Sequence, residues 1–257
     1  MQRRIRKHLR ARIAQVALAA LALTIPFASA QDSPAHKQRE AAIAWEQAGK
    51  SAEAETAWRA VLKSQPTSAE AYAHLGFLEA QQQRYAQAIP LYRKALALQP
   101  TMPQLRMNLG LALFKAGELK DAIRIFEALL KQQPPSSAEA QRLKTLIGMS
   151  HYGLGQYVAA VPYFKQATAD NPQNLPFRLL LAHSCLWSKQ YQCVLDVYRE
   201  ILNLNAESAE ADMLAGEALD EMQDHAGATQ QFRAAVKANP KEPTVHFGLG
   251  YLLWTQS

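Results

Sequence analysis

The sequence predicts an all-α fold, a solenoid of stacked helix hairpins, and a recurring pattern of residues is what predicts it. The pattern opens with Tyr72, Leu75 and Gly76, runs at helical spacing through Ala88, Tyr92 and Ala95, and closes at Pro100. It returns thirty-four residues later as Leu109, Gly110, Ala122, Phe126, Leu129 and Pro134, and again as Ile147, Gly148, Ala160, Phe164, Ala167 and Pro172. A fixed period of this length marks a repeat architecture in which each unit is one supersecondary element. No unit can bury its apolar face alone, so stability comes from stacking on neighbours.

The first thirty residues stand outside that pattern. Arg3, Arg4, Arg6, Lys7, Arg10 and Arg12 form a basic head, and an uncharged run from Ile13 ends in Ala28, Ser29 and Ala30 before Gln31. This is the layout of a secretory signal peptide with an A-x-A cleavage site. The alternative is an uncleaved anchor, since the run is barely long enough to span a bilayer; Pro26 and the small residues near its end favour cleavage. Residues 1–30 are therefore expected to be removed, leaving 31–34 as a short lead-in. Removal takes away six basic residues and no acidic ones, so Lys plus Arg falls from 28 to 22 and equals Asp plus Glu. A neutral mature chain argues against nucleic acid as a partner. Without a Cys at the cleavage site to carry a lipid, the product is expected to be exported, periplasmic or secreted, with no insertion into the membrane.

Six full units follow, at about 35–68, 69–102, 103–136, 141–174, 175–208 and 209–242, with a half unit at 243–257. The first lacks the Leu-Gly pair but carries Ala42, Trp45, Ala54, Trp58, Val61 and Pro66, and Ser33 with Pro34 supplies an N-cap and a proline at the first helical position. Thr67 with Glu70 predicts a capping box for the second unit, and Ser136 with Glu139 another for the fourth. Four residues are inserted before the fourth unit, predicting a longer loop or an extra helical turn. The fifth deviates most, with Leu181 and Ala182, Val194, Tyr198 and Ile201, and Ala206 where proline is expected. The sixth returns to pattern through Gly216, Ala228, Phe232, Ala235 and Pro240. Pro243 opens a last helix rich in Phe247, Leu249, Tyr251, Leu252, Leu253 and Trp254, too apolar for an ordinary solenoid cap.

The motif quoted above, a large residue followed by Leu-Gly, then Ala and an aromatic four apart, then Pro, resembles the tetratricopeptide repeat over nearly all of the chain after residue 34. The resemblance implies a right-handed superhelical solenoid of helix hairpins. In each unit the small residue at position 8 and Ala at position 20 are read as close helix crossings. Positions 5, 9 and 12 form a stripe about 100° round the first helix from the packing stripe, and in tetratricopeptide proteins that stripe lines a concave groove. The expected groove residues are Phe77, Met107, Leu111, Phe114, Met149, Tyr152, Leu179, His183, Leu186, Trp187 and Met213, passing into an acidic patch of Glu217, Asp220 and Glu221. The competing reading is that these side chains pack helix against helix. The carboxylate clamp of some tetratricopeptide domains needs Lys at position 5 and Asn at position 9; here stand Ala73 and Phe77, Met107 and Leu111, Thr145 and Met149, so it is absent.

Nothing else points to catalysis. There is no His-Glu-x-x-His, no P-loop and no Gly-x-Ser-x-Gly. His36, His74, His151, His183, His225 and His246 lack ligand spacing, so no metal and no cofactor is expected. Cys185 and Cys193 lie about one helical turn either side of a hairpin bend, at similar height on antiparallel helices. In an oxidising compartment they read as a disulfide; otherwise they are two small buried hydrophobes. The function expected is a non-enzymatic exported scaffold that binds a protein or peptide segment in its groove. The alternatives are the recognition arm of a longer enzyme or envelope-assembly component, and self-association through the last helix.

Overall fold

The computed structural model describes residues 34–204 and 207–255, so the expected signal peptide at 1–30, the expected Ser33 cap and Ala206 lie outside the described residues. Among those residues the structure is helical throughout and divides into two compact units, the first ending at Ser68 and the second beginning at Ala69. The first unit holds α1 (Pro34–Gln47) and α2 (Ser51–Ser64), with Pro34 at the first helical position. Ala42, Ala54, Trp58 and Val61 are buried, and the Trp58 indole donates to Glu46 Oε1 at 2.6 Å. Trp45 stays partly exposed, with the Lys50 ammonium 4.7 Å above its ring centre.

The second unit carries α3 (Ala69–Gln81), α4 (Tyr85–Leu98), α5 (Pro103–Lys115), α6 (Leu119–Leu130), α7 (Ala138–Gly153), α8 (Tyr157–Asp170), α9 (Leu175–Trp187), α10 (Tyr191–Asn203), α11 (Ala209–Glu221), α12 (His225–Ala238) and α13 (Pro243–Thr255). From α3 onward each helix packs on the next, and α11 also touches α9 and α13. First helices start at 69, 103, 175, 209 and 243, where the sequence period puts them. Both expected capping boxes shift by one residue. Ser137, not Ser136, caps α7, its Oγ accepting from the Ala140 N–H at 3.1 Å. The helix opening the second unit starts at Ala69, which puts Ser68 rather than Thr67 in the capping place. The four-residue insert becomes mostly helix, since α7 has 16 residues against 13 in α5.

The hairpin bends share one backbone feature. Position 15 of every full unit has positive φ, at Gly49, Gln83, Gly117, Gly155, Lys189 and Gln223, between 59° and 82°. Glycine takes that conformation without steric cost, whereas the two glutamines and the lysine hold it against their Cβ atoms.

In three hairpins the packing turns on a glycine set against a ring. A Cβ added at Gly76 would lie 2.7 Å from the ring of Tyr92, and one at Gly110 would lie 2.6 Å from Phe126. Tyr92 is so enclosed that burial pushes its phenol up to about 12. Gly216 meets Phe232 in the same way, at 3.0 Å, and Gly248 closes on the same ring from α13, also at 3.0 Å. Gly250 stands at position 8 of the last helix, yet nothing lies within 4 Å of an added Cβ. The two sites give opposite predictions for one substitution. Gly76→Ala should cost about 1–2 kcal/mol, because overpacking by roughly 1–3 kcal/mol outweighs the better helix propensity of alanine. Gly250→Ala should stabilise by up to about 1 kcal/mol, since only the propensity gain operates there. Urea unfolding of the two variants measures both.

Candidate functional site

The expected groove stripe separates into a packed part and an open part. Met107 is only 6 % exposed and belongs to the apolar core shared by α4, α5 and α6, so it is no groove residue. Leu111 and Phe114 lean on the same core, half-buried, while Phe77 keeps 44 % of its surface in water. Met149, Tyr152 and Leu179 pack similarly against the core of α8 to α11. These side chains pack against the buried clusters of neighbouring helices, which takes up part of their surface. Phe114 stays with its own core, whereas Tyr152 and Trp187 meet, with ring centres 5.7 Å apart.

Trp187 is the centre of the open part. It is 48 % exposed, although Tyr157 lies 4.6 Å and His183 5.0 Å away, centre to centre. His183 Nε2 sits 2.7 Å from Glu210 Oε1, and its Nδ1 is buried without a hydrogen-bond partner. Leu186 is 7 % exposed, a core residue that contributes an edge to the open site and not the exposed groove position expected of it. From Trp187 the surface falls into a cavity of about 650 Å³ bounded by α9, α11 and α13, within the range of about 300–1,000 Å³ typical of ligand pockets. Met213, Glu217, Asp220 and Glu221 line it, so the acidic patch and the tryptophan share one site.

The sequence reading missed three further walls of that cavity. Phe247 and Tyr251 occupy positions 5 and 9 of α13, the same stripe positions as Leu179 and His183 in α9. Carrying the repeat count into the half unit would have found them. Their rings stack at 6.1 Å, and both remain well exposed, Phe247 at 74 %. Phe232 reaches the cavity from α12, and the gripping of that ring by Gly216 and Gly248 gives no separate sequence signal.

The carboxylates differ in how they are held. Asp220 lies 2.8 Å from His225 Nδ1, and Glu221 accepts from the Tyr191 hydroxyl at 2.9 Å. That bond, with lesser contributions from burial and the Glu221 charge, raises the Tyr191 phenol above its ordinary range. Glu217 has no hydrogen-bond or ion-pair partner among the described residues. Burial against the cavity wall raises its pKa, His183 acts in the opposite direction, and Glu221 adds to the rise. Asp212, behind the site on α11, is also raised by burial, partly offset by the Tyr198 hydroxyl at 2.8 Å and reinforced by Glu207. Lys189, at the bend between α9 and α10, adds one ammonium to the lining.

The α9–α10 hairpin under the site is closed covalently. Cys185 and Cys193 are joined in the structure by a disulfide, with Cα atoms 5.9 Å apart. Among the described residues no group of three or more acidic, histidine or cysteine side chains could hold a metal ion, and no helix is long and apolar enough to cross a membrane.

Two predictions follow from burial and charge. Trp187→Ala should cost less than about 2 kcal/mol of stability, because half of the side chain already faces water. Phe126→Ala, removing a wholly buried ring, should cost about 3–5 kcal/mol. Thermal unfolding compares the two. The second concerns pH. The fold binds the protons of Asp212 and Glu217 more tightly than the unfolded chain does, so their effect is most favourable below the ordinary carboxylate pKa and is lost as pH rises through the raised values. Asp212→Asn should flatten the decline of stability as pH rises above the ordinary carboxylate range, measured by urea unfolding as a function of pH.

With helix order, hairpin bends and glycine-to-ring contacts established, comparison with known proteins becomes specific. No curated protein matches the sequence. A tetratricopeptide repeat profile matches residues 79–147 and 151–217, and a second one matches 39–103, 195–243 and 213–257. The fold is similar to that of YrrB, described as a tetratricopeptide protein with an unusual peptide-binding site, at 17% identity over 74% of this chain and 96% of that one, with a TM-score of 0.60. It is similar to MamA of Desulfovibrio magneticus RS-1 at 18% identity over 66% and 94% of the two chains, TM-score 0.55. PilW, a type IV pilus biogenesis factor, aligns at 18% identity over 85% of this chain and 98% of that one, TM-score 0.52. The two profile segments at 79–147 and 151–217 alone span more than half of the sequence, so the chain belongs to the tetratricopeptide repeat family.

Proposed function

We propose that this protein is an exported, non-catalytic scaffold that binds a protein or peptide segment at the site bounded by α9, α11 and α13. One observation carries the reading. The stripe positions of three successive first helices are buried or half-buried through most of the array, but here they open onto a cavity lined by Trp187, Met213, Phe247 and Tyr251. Contiguous exposed apolar surface of this kind marks an interaction site; methionine adapts to a partner's shape, and tyrosine and tryptophan supply contact area at little entropic cost. YrrB, described as having a peptide-binding site, and PilW, described as a type IV pilus biogenesis factor, offer precedents on the same fold. Export is proposed from the basic head, apolar run and A-x-A site of residues 1–30, and the disulfide suits an oxidising compartment.

Both halves of the proposal can be tested in cells. Protein recovered from the envelope or medium should begin at Gln31 by intact mass, and unfolding it without reductant should expose no free thiol. An intact mass that retains residues 1–30, or two free thiols, counts against export. For binding, a photo-crosslinking residue at Phe247 should give a defined adduct that Trp187→Ala suppresses, while the same probe at Arg124 should give none. Equal adducts at the two positions would remove the cavity from consideration as the binding site.

A further inference from the structure

The chemistry of the cavity narrows the partner further than its shape does. Its lining carries three carboxylates, Glu217, Asp220 and Glu221, against the single ammonium of Lys189. Two of the three are engaged, Asp220 by His225 and Glu221 by the Tyr191 hydroxyl. Glu217 is the exception, a carboxylate without a hydrogen-bond or ion-pair partner among the described residues, in a lining that includes Trp187, Met213, Phe247 and Tyr251. Glu217 faces water in the empty site, and a partner that covers the surrounding apolar wall strips that hydration without loss only if it brings a cation with its own apolar stem. Aromatic rings favour the same visitor, since their faces attract ammonium and guanidinium groups.

We propose that this cavity is a cation-selecting pocket, which takes a lysine or arginine side chain flanked by apolar residues from an extended segment of the partner, with Glu217 as the counter-ion. The inference rests on the reading of the cavity as the binding site and adds the charge of what enters it. Asp220 and Glu221, held by their own partners, set the negative field at the rim, and Trp187, Phe247 and Tyr251 cover the alkyl stem. A neutral apolar segment could fill the same volume but would take Glu217 out of water without compensation. An acidic segment, or the anionic surface of a lipid bilayer, would meet like charge.

Panning a random peptide library displayed on phage against the disulfide-bonded chain 31–257 tests this directly. Selected peptides should carry lysine or arginine next to an aromatic or aliphatic residue, and Trp187→Ala should abolish their capture. Replacing that lysine by norleucine in a synthetic copy, which keeps the stem and removes the charge, should weaken binding at least about tenfold by calorimetry. Glu217→Gln should weaken the parent peptide about as much and leave the norleucine peptide unaffected. Because the norleucine comparison uses the unaltered protein, it stands even if Glu217→Gln fails to fold. Trp187-dependent peptides without an enriched cation, or a norleucine copy that binds as well as its parent, would overturn the charge inference while leaving the cavity as the binding site. Failure to select any Trp187-dependent peptide would overturn both.

Discussion

The close approach of a glycine to an aromatic ring, repeated in three of the hairpins, is the constraint on which the rest depends. Gly76 against Tyr92, Gly110 against Phe126 and Gly216 against Phe232 leave no room for a Cβ without displacing the ring. A crossing that tight fixes the rotation of the first helix about its own axis, because turning it brings a larger side chain into the contact. Once position 8 must face the second helix, positions 5 and 9 must face elsewhere, so the stripe that becomes the cavity wall follows from packing. Phe232 shows the link most directly. It is gripped by Gly216 on one side and Gly248 on the other, and the same ring lines the cavity between those helices.

Whether a stripe position is open depends on its neighbours, and that is where sequence reasoning stops. Helix starts at 69, 103, 175, 209 and 243 were legible because the period is a covalent count. The burial of Met107 was not, because it depends on how the preceding repeat's side chains fill the space beside it, and a long flexible thioether fills such gaps readily. Trp187 stays half open because Tyr157 and His183 cover only part of a large indole. The caps illustrate a smaller limit. Ser136 and Ser137 are chemically equivalent, and only the length of the inserted turn decides which one stands before the first helical residue.

Charge on this site follows the same division between count and context. Glu217, Asp220 and Glu221 fall on the stripe by spacing alone, so the acidic patch could be placed from sequence. Their inequality could not be, since it comes from His225 and Tyr191, each five or more residues away on another helix. The unpaired Glu217 matters more than the total charge. An isolated surface carboxylate gains little from a passing cation, whereas Glu217, itself exposed, gains from one whose apolar stem covers the neighbouring rings and thioether and takes the pair out of water.

The fifth repeat explains how the site tolerates a hairpin that departs from pattern. Ala182 replaces glycine at position 8, and Tyr198 at position 24 reaches outward with its hydroxyl, 2.8 Å from both Asp212 on α11 and Gln231 on α12. The ring that elsewhere interlocks within a hairpin is therefore also tied to the next one. Within the hairpin, the Cys185–Cys193 bridge supplies a covalent constraint instead, next to a bend where Lys189 holds positive φ in place of glycine. Closing an eight-residue separation in this way removes conformational freedom from the unfolded chain, worth about 2–3 kcal/mol by loop-closure entropy. The bridge lies on α9 within one helical turn of His183 and Trp187. A hairpin that has given up part of its packing signature is thus held rigid where the open aromatic surface is presented.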